Sequence, residues 1–199
     1  MKKLFALLTT AIISLSTQAA KFDEGTYYEV LKTEKSATPK VTEFFSFYCP
    51  HCYNFEPVIN QVKTSLPKDA QFEKVHVAFM GKDMAIPMAK SYATMVTLGV
   101  EDSMVPAMFK QIHQLRSAPK NEKALRQIFL DNGVDAKKFD ATYNSFVVSS
   151  MQKNFDKQFE KSTLTGVPGV LVNDKYIVKS EKIKSMEEYS QLINYLLTL

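Results

Sequence analysis

The chain holds two cysteines, Cys49 and Cys52, with Pro50 and His51 between them. Sulfurs so close together make a poor structural staple, because closing so short a loop removes little chain entropy. Their chemistry is therefore redox exchange or metal binding. A C-x-x-C that follows a strand and opens a helix has a redox mechanism. Free backbone N–H groups of the first helical turn donate to a thiolate sulfur at Cys49, and the helix dipole favours its negative charge. His51 adds a positive charge or a hydrogen-bond donor from between the sulfurs. Cys52 falls one turn deeper. Cys49 is thus the accessible sulfur and Cys52 its resolving partner.

The metal reading is weaker. One C-x-x-C is half of a zinc site, and a second pair of ligands is needed. The other histidines besides His51 are His76 and His113. One falls in a strand and the other in a helical region, and neither belongs to a paired-ligand pattern. His113 reads as a surface or interdomain residue. No metal and no cofactor is expected.

Two further features bear on the sulfurs. Glu43 shares strand parity with Val41, Phe45 and Phe47, which places a carboxylate in a buried run behind the helix that starts at Cys49. Lys74, on the next strand, has the opposite parity to Val75 and Val77. Burial raises a carboxylate pKa and lowers that of an amine, while pairing opposes both shifts. Such a pair could take and return the proton of Cys52. The alternatives are a structural ion pair, or a Lys74 that faces solvent. The second feature is Thr165–Gly166–Val167–Pro168–Gly169, which enters a strand through a proline. X-Pro bonds are usually trans, so the dipeptide alone is a weak argument for cis.

These residues need elements to hold them. Thr26 to Lys32 reads as a short strand, and Val41 to Phe47 as a buried one. Pro50 falls where a helix could begin, with Phe55, Val58, Ile59 and Val62 at helical spacing. Pro57 should kink or interrupt that helix. Phe72 to Phe79 is a second strong strand, so the unit is β–α–β with a right-handed crossover. From Lys82 to about Lys161 the pattern is helical. Its stripes are Met88, Tyr92, Met95 and Val96; Val105, Met108, Phe109, Ile112 and Leu115; Leu125, Ile128 and Phe129; Phe139, Tyr143, Phe146 and Val147; then Met151, Phe155 and Phe159. Gly99 and Gly133 are placed to end helices. Gly169 to Val172 and Lys175 to Val178 form a hairpin about Asn173–Asp174. Ser185 and Glu188 make a capping box for a last helix carrying Tyr189, Leu192, Ile193 and Leu196. The order β-β-α-β, helical insertion, β-β-α is that of an α/β, thioredoxin-like fold with an inserted all-helical domain. The expected boundaries are 20–81 and 162–199 for the thioredoxin-like parts and 82–161 for the insertion. That context greatly strengthens the case for a cis Val167–Pro168 bond.

Composition fits a globular chain: 199 residues, 45% hydrophobic and 23% charged. Residues 1–19 read as a secretory signal. Lys2 and Lys3 form its basic region, Leu4 to Leu15 its apolar region, and cleavage after Ala19 fits the small-x-small rule. The apolar stretch is short for a membrane span. The formal net charge is +4, and without those two lysines it is +2, too modest for nucleic acid as a partner.

The sequence resembles the DsbA family, the secreted disulfide-introducing proteins of Gram-negative bacteria, from the signal to the last helix. The resemblance rests on Phe47–Tyr48–Cys49–Pro50–His51–Cys52, with Glu43 six residues before Cys49. It is supported by Phe79–Met80–Gly81, Leu98–Gly99–Val100–Glu101–Asp102, Asn144–Ser145–Phe146–Val147–Val148 and Gly166–Val167–Pro168. It implies that Cys49 forms the mixed disulfide with substrate and that Cys52 is its partner in the resting disulfide. Val167 and cis-Pro168 would present backbone to an extended substrate. Glu43 and Lys74 match the family's buried charged pair, and Met186 and Tyr189 lie where the family has an apolar substrate groove. The implied partners are unfolded secreted proteins with cysteines and a membrane quinone-linked reoxidant of the DsbB type, in the periplasm. No segment looks like a dimerisation module, so a monomer is expected. One departure is the absence of Trp; Tyr92 and Tyr143 stand where the family often has it. Two other functions stay open: a reductant or isomerase using the same motif, and a non-redox peptide-binding chaperone.

Overall fold

A computed structural model describes residues 21–199. The proposed signal segment lies outside the described residues. The elements are β1 (Tyr28–Val30), β2 (Lys40–Phe45), α1 (Pro50–Ser65), β3 (Gln71–His76), a 3₁₀ turn (Lys82–Met84), α2 (Ala85–Leu98) and α3 (Glu101–Phe109). Next come a π turn (Lys110–Gln114), α4 (Glu122–Asp131), α5 (Ala136–Tyr143), α6 (Phe146–Ser162), β4 (Gly169–Val172), β5 (Tyr176–Val178) and α7 (Met186–Thr198). The order matches that expected from the sequence.

The strands form one mixed sheet in the order β1-β5-β4-β2-β3. β5 pairs antiparallel with both β1 and β4. β2 and β3 run parallel: Gln71 N–H donates to the Pro39 carbonyl and Val77 N–H to the Phe45 carbonyl, so both strands advance together. In the β4–β5 turn, Asn173 and Asp174 have φ of 53° and 54°. Positive φ at both central residues is the type I′ geometry whose twist suits a hairpin.

The chain packs as two compact units. One comprises residues 21–42, Pro57–Glu73 and Val170–Leu199. The other comprises Glu43–Glu56 and Lys74–Gly169. Strand β2 and helix α1 pass from one to the other. In the first, Ile59, Val62, Val172, Leu192, Ile193 and Leu196 are buried. In the second, Phe45, Phe47, Tyr92 and Phe109 form a ring cluster, with edge contacts such as Phe45–Tyr92 at 5.0 Å and Phe47–Phe109 at 5.1 Å. Each such buried ring contributes about 1.5–3 kcal/mol.

Three local features bear on these expectations. Helix α1 is continuous through Pro57, so this residue does not interrupt it. The bond lost is that of one N–H, and burial of Ile59 and Val62 just beyond it holds the helix despite that cost. The stripe Val105 to Leu115 does not hold its face: Leu115 is 58% exposed. The π turn over Lys110–Gln114 widens the helix and rotates Leu115 out of register. Phe146 and Val147 are exposed rather than continuing the stripe of Phe139 and Tyr143. Ser145 accepts from Val148 N–H and starts a new helix there.

The last helix begins much as its capping box requires. Ser185 Oγ accepts from Glu188 N–H at 3.1 Å. The Glu188 carboxylate reaches one residue further back and accepts from Lys184 N–H at 2.9 Å.

Candidate active site

Strand β2 ends at Phe45 and α1 begins at Pro50, so the motif is the junction of a buried strand and a helix start. Both cysteines are free thiols and both are buried. Cys49 is 3% exposed and Cys52 0%, so both sulfurs are enclosed and exposure hardly separates them. Cys52 N–H donates to Cys49 Sγ at 3.1 Å. This is a free amide of the first helical turn donating to sulfur. The Cys49 thiol in turn donates to the Val167 carbonyl at 3.5 Å. The Val167–Pro168 bond is cis. The segment entering β4 is therefore brought to Cys49.

Burial pushes the Cys52 thiol far above its ordinary value, with the Cys49 sulfur and the Glu43 charge adding to it. Cys52 is thus held as a neutral thiol. His51 and Pro50 are exposed on the first turn of α1.

Glu43 is fully buried on β2, and its Oε2 lies 2.9 Å from Lys74 Nζ on β3. Lys74 also pairs with Glu56 of α1. Burial pulls the Lys74 ammonium down, but the Glu43 and Glu56 carboxylates outweigh it and its pKa is raised. Lys74 Nζ also sits 4.5 Å from the centre of the Phe45 ring. Lys74 is therefore paired, not directed to solvent. Glu56 is not among the residues that the sequence singles out. It lies four residues after Cys52 on one helix, a spacing that puts both on the same face.

Met186 and Tyr189 lie on α7, in the other compact unit. Met186 is 45% exposed and Tyr189 4%. Gly81 explains how Tyr48, next to Cys49, is seated. A Cβ at Gly81 would collide with the Tyr48 ring, and its φ of 101° suits glycine alone.

His76 and His113 are turned to the two peptide groups on either side of Phe47. Phe47 N–H donates to His76 Nε2 at 3.0 Å, and His113 Nε2 lies 2.8 Å from the Phe47 carbonyl. His76 is completely buried. Burial, with a smaller contribution from the Lys74 charge, drives its pKa down to about 3. An unfolded histidine titrates near 6.5, so the unfolded chain takes up a proton that the folded one refuses. The stability that depends on neutral His76 is complete above pH ~6.5 and is lost as pH falls toward about 3. Between pH 7 and 5 the His76 contribution to unfolding free energy should fall by about 2 kcal/mol. Urea unfolding at the two pH values should show that loss in the parent chain and not in His76→Gln. Equal losses in both would remove His76 as its cause.

The chain matches the model of the DSBA-like thioredoxin domain over residues 40–191. It is 36% identical to the thiol:disulfide interchange protein DsbA of Dickeya dadantii, covering 100% of this chain and 99% of the relative. It is 32% identical to the DsbA of Escherichia coli K12, covering 98% of each. Among solved structures it resembles the disulfide oxidoreductase DsbA of Proteus mirabilis, with a TM-score of 0.82 and 35% identity over 91% of this chain and 100% of that one. It also resembles a Proteus DsbA bound to a peptide, with a TM-score of 0.84 and 33% identity over 89% of this chain and 99% of that one. With its cysteines at a strand–helix junction and a cis-proline segment against Cys49, the chain belongs to the DsbA family of thiol–disulfide oxidoreductases.

Proposed function

We propose that this chain oxidises pairs of cysteines in unfolded secreted proteins, in the periplasm, as a monomer without cofactor. The thioredoxin-like domain would span 20–81 and 162–199, with 82–161 inserted. In the reaction a substrate thiolate attacks the Cys49 sulfur of the Cys49–Cys52 disulfide. Cys52 leaves and takes a proton, giving a mixed disulfide at Cys49. A second substrate thiolate then attacks the substrate sulfur, and Cys49 leaves. Two electrons pass to the chain, and a membrane quinone-linked partner of the DsbB type removes them.

Val167 and Pro168 would offer backbone to an extended substrate, and Met186 and Tyr189 apolar contact. Pro50 and His51 tune the couple, and Glu43 with Lys74 serves the proton of Cys52. The peptide bound by the Proteus protein supports the substrate class.

The observation that carries the oxidant reading is the Cys52 N–H donated to Cys49 Sγ. A bond to the sulfur grows stronger as the sulfur becomes anionic. It therefore favours the reduced state over the disulfide. Each 1.4 kcal/mol so gained makes the couple about 30 mV more oxidising. Chain entropy adds little to the oxidised form, because the loop it closes is short.

The reduced protein should consequently be the more stable one in denaturant at neutral pH. Equilibration with glutathione should show a disulfide that gives up its oxidising equivalents readily. A more stable oxidised form, or a disulfide that glutathione cannot reduce, would favour the reductant reading. A chain that still supports secretion with both cysteines changed to serine would be a chaperone instead.

A further inference from the structure

Phe47 lies two residues before Cys49, and the two peptide groups that flank its Cα are each held by an imidazole. Its N–H can only donate, so His76 Nε2 accepts and the His76 proton sits on Nδ1. Its carbonyl can only accept, so His113 Nε2 carries a proton. One residue's backbone thus fixes two imidazoles in opposite arrangements. His76 belongs to β3, and His113 to the π turn after α3.

The π turn also grips the far side of the motif. The His113 ring stacks on Tyr53, with centroids 5.2 Å apart and planes 8° from parallel. Tyr53 is the residue directly after Cys52. Gln114, next in the turn, donates to the Tyr53 hydroxyl. The same turn therefore holds the backbone ahead of Cys49 and the side chain behind Cys52. A π turn is a costly interruption of a helix and gathers at functional sites.

We propose that His113 is a positioning residue for the Cys49–Cys52 couple. By donating to Phe47 while stacked on Tyr53, it sets the strand–helix junction so that the Cys52 N–H meets the Cys49 sulfur. The inference rests on the redox function proposed above. It adds a residue that touches neither sulfur, on an element remote from the motif in sequence.

The test compares His113→Leu with His113→Gln, whose side-chain amide can donate to the same carbonyl. The readout is the equilibrium of the Cys49–Cys52 disulfide with glutathione. A merely structural histidine would destabilise both redox forms alike and leave that equilibrium unmoved. We expect His113→Leu to make the chain a weaker oxidant by about three- to tenfold, the value of one net hydrogen bond. His113→Gln should stay within about twofold of the parent. Equal shifts in the two variants, or none in either, would overturn the proposal. If the parent chain itself does not exchange with glutathione, the redox reading falls and this one with it. Should His113→Leu not fold, the ring ¹⁵N shifts of the parent decide. A neutral His113 protonated on Nε2 supports the bond to Phe47, and one protonated only on Nδ1 overturns it.

Discussion

Replacing Cys52 by alanine is expected to stop thiol exchange at its midpoint. The reduced parent, offered a peptide disulfide, attacks it through the Cys49 sulfur and becomes joined to half the peptide. Cys52 then displaces that half and closes the intramolecular disulfide. Cys52 N–H lies 3.1 Å from Cys49 Sγ, so the two residues are already in contact before reaction. Without the Cys52 sulfur the mixed disulfide has no internal route onward, and its release should slow by on the order of a thousandfold. Cys49→Ala should behave differently. The remaining thiol of Cys52 is fully buried and held protonated, so little adduct should form at all. Mass spectrometry of the intact protein separates the outcomes. Release from Cys52→Ala at the parental rate would show that another group resolves the adduct.

Lys74→Met is expected to be the most destabilising single change near the site. It leaves the fully buried Glu43 carboxylate without the ammonium 2.9 Å away. Removing one partner of a buried pair typically costs about 3–5 kcal/mol, far more than the pair adds when intact. Glu56 is 18% exposed and can turn to water, so the loss falls chiefly on Glu43. Lys74→Met combined with Glu43→Gln should recover much of the stability, because the buried charge that faced Lys74 is gone. Glu43→Gln alone should keep the fold and slow the step in which Cys52 gains or loses its proton. Denaturant unfolding and stopped-flow exchange across pH give the two readouts. Unchanged exchange with altered stability would make the pair purely structural.

Much of the site is legible in the sequence because its signals are local. The motif, the strand before it and the hairpin at Asn173–Asp174 each depend on residues a few positions apart. Strand parity puts Glu43 with Val41 and Phe45, although Thr42 and Phe44 on the opposite face are just as buried. Lys74 is not decided by the same rule, since parity says which face a side chain takes but not what meets it there. Glu56 is readable from its spacing to Cys52, yet an exposed-looking helix position gives no reason to choose it. The histidines are a different problem. His76 and His113 meet at Phe47 only because β3 and the π turn close on the same residue, and no periodicity encodes that meeting. The π turn also breaks the apolar stripe at Leu115, since a widened turn leaves no mark in residue spacing.

The near-complete enclosure of both sulfurs bears on what happens when a stray oxidant reaches them. Over-oxidation climbs from sulfenic to sulfinic acid only when a second oxidant molecule reaches the same sulfur. At 3% exposure Cys49 offers such molecules a small target, and Cys52 offers none. A sulfenic acid formed at Cys49 would meet the neighbouring Cys52 thiol before a second encounter, and the product would be the working disulfide. Two copies meeting by chance face the same obstacle to cross-linking. The enclosure that limits access by stray reagents thus also turns an oxidative accident into an ordinary step of the cycle.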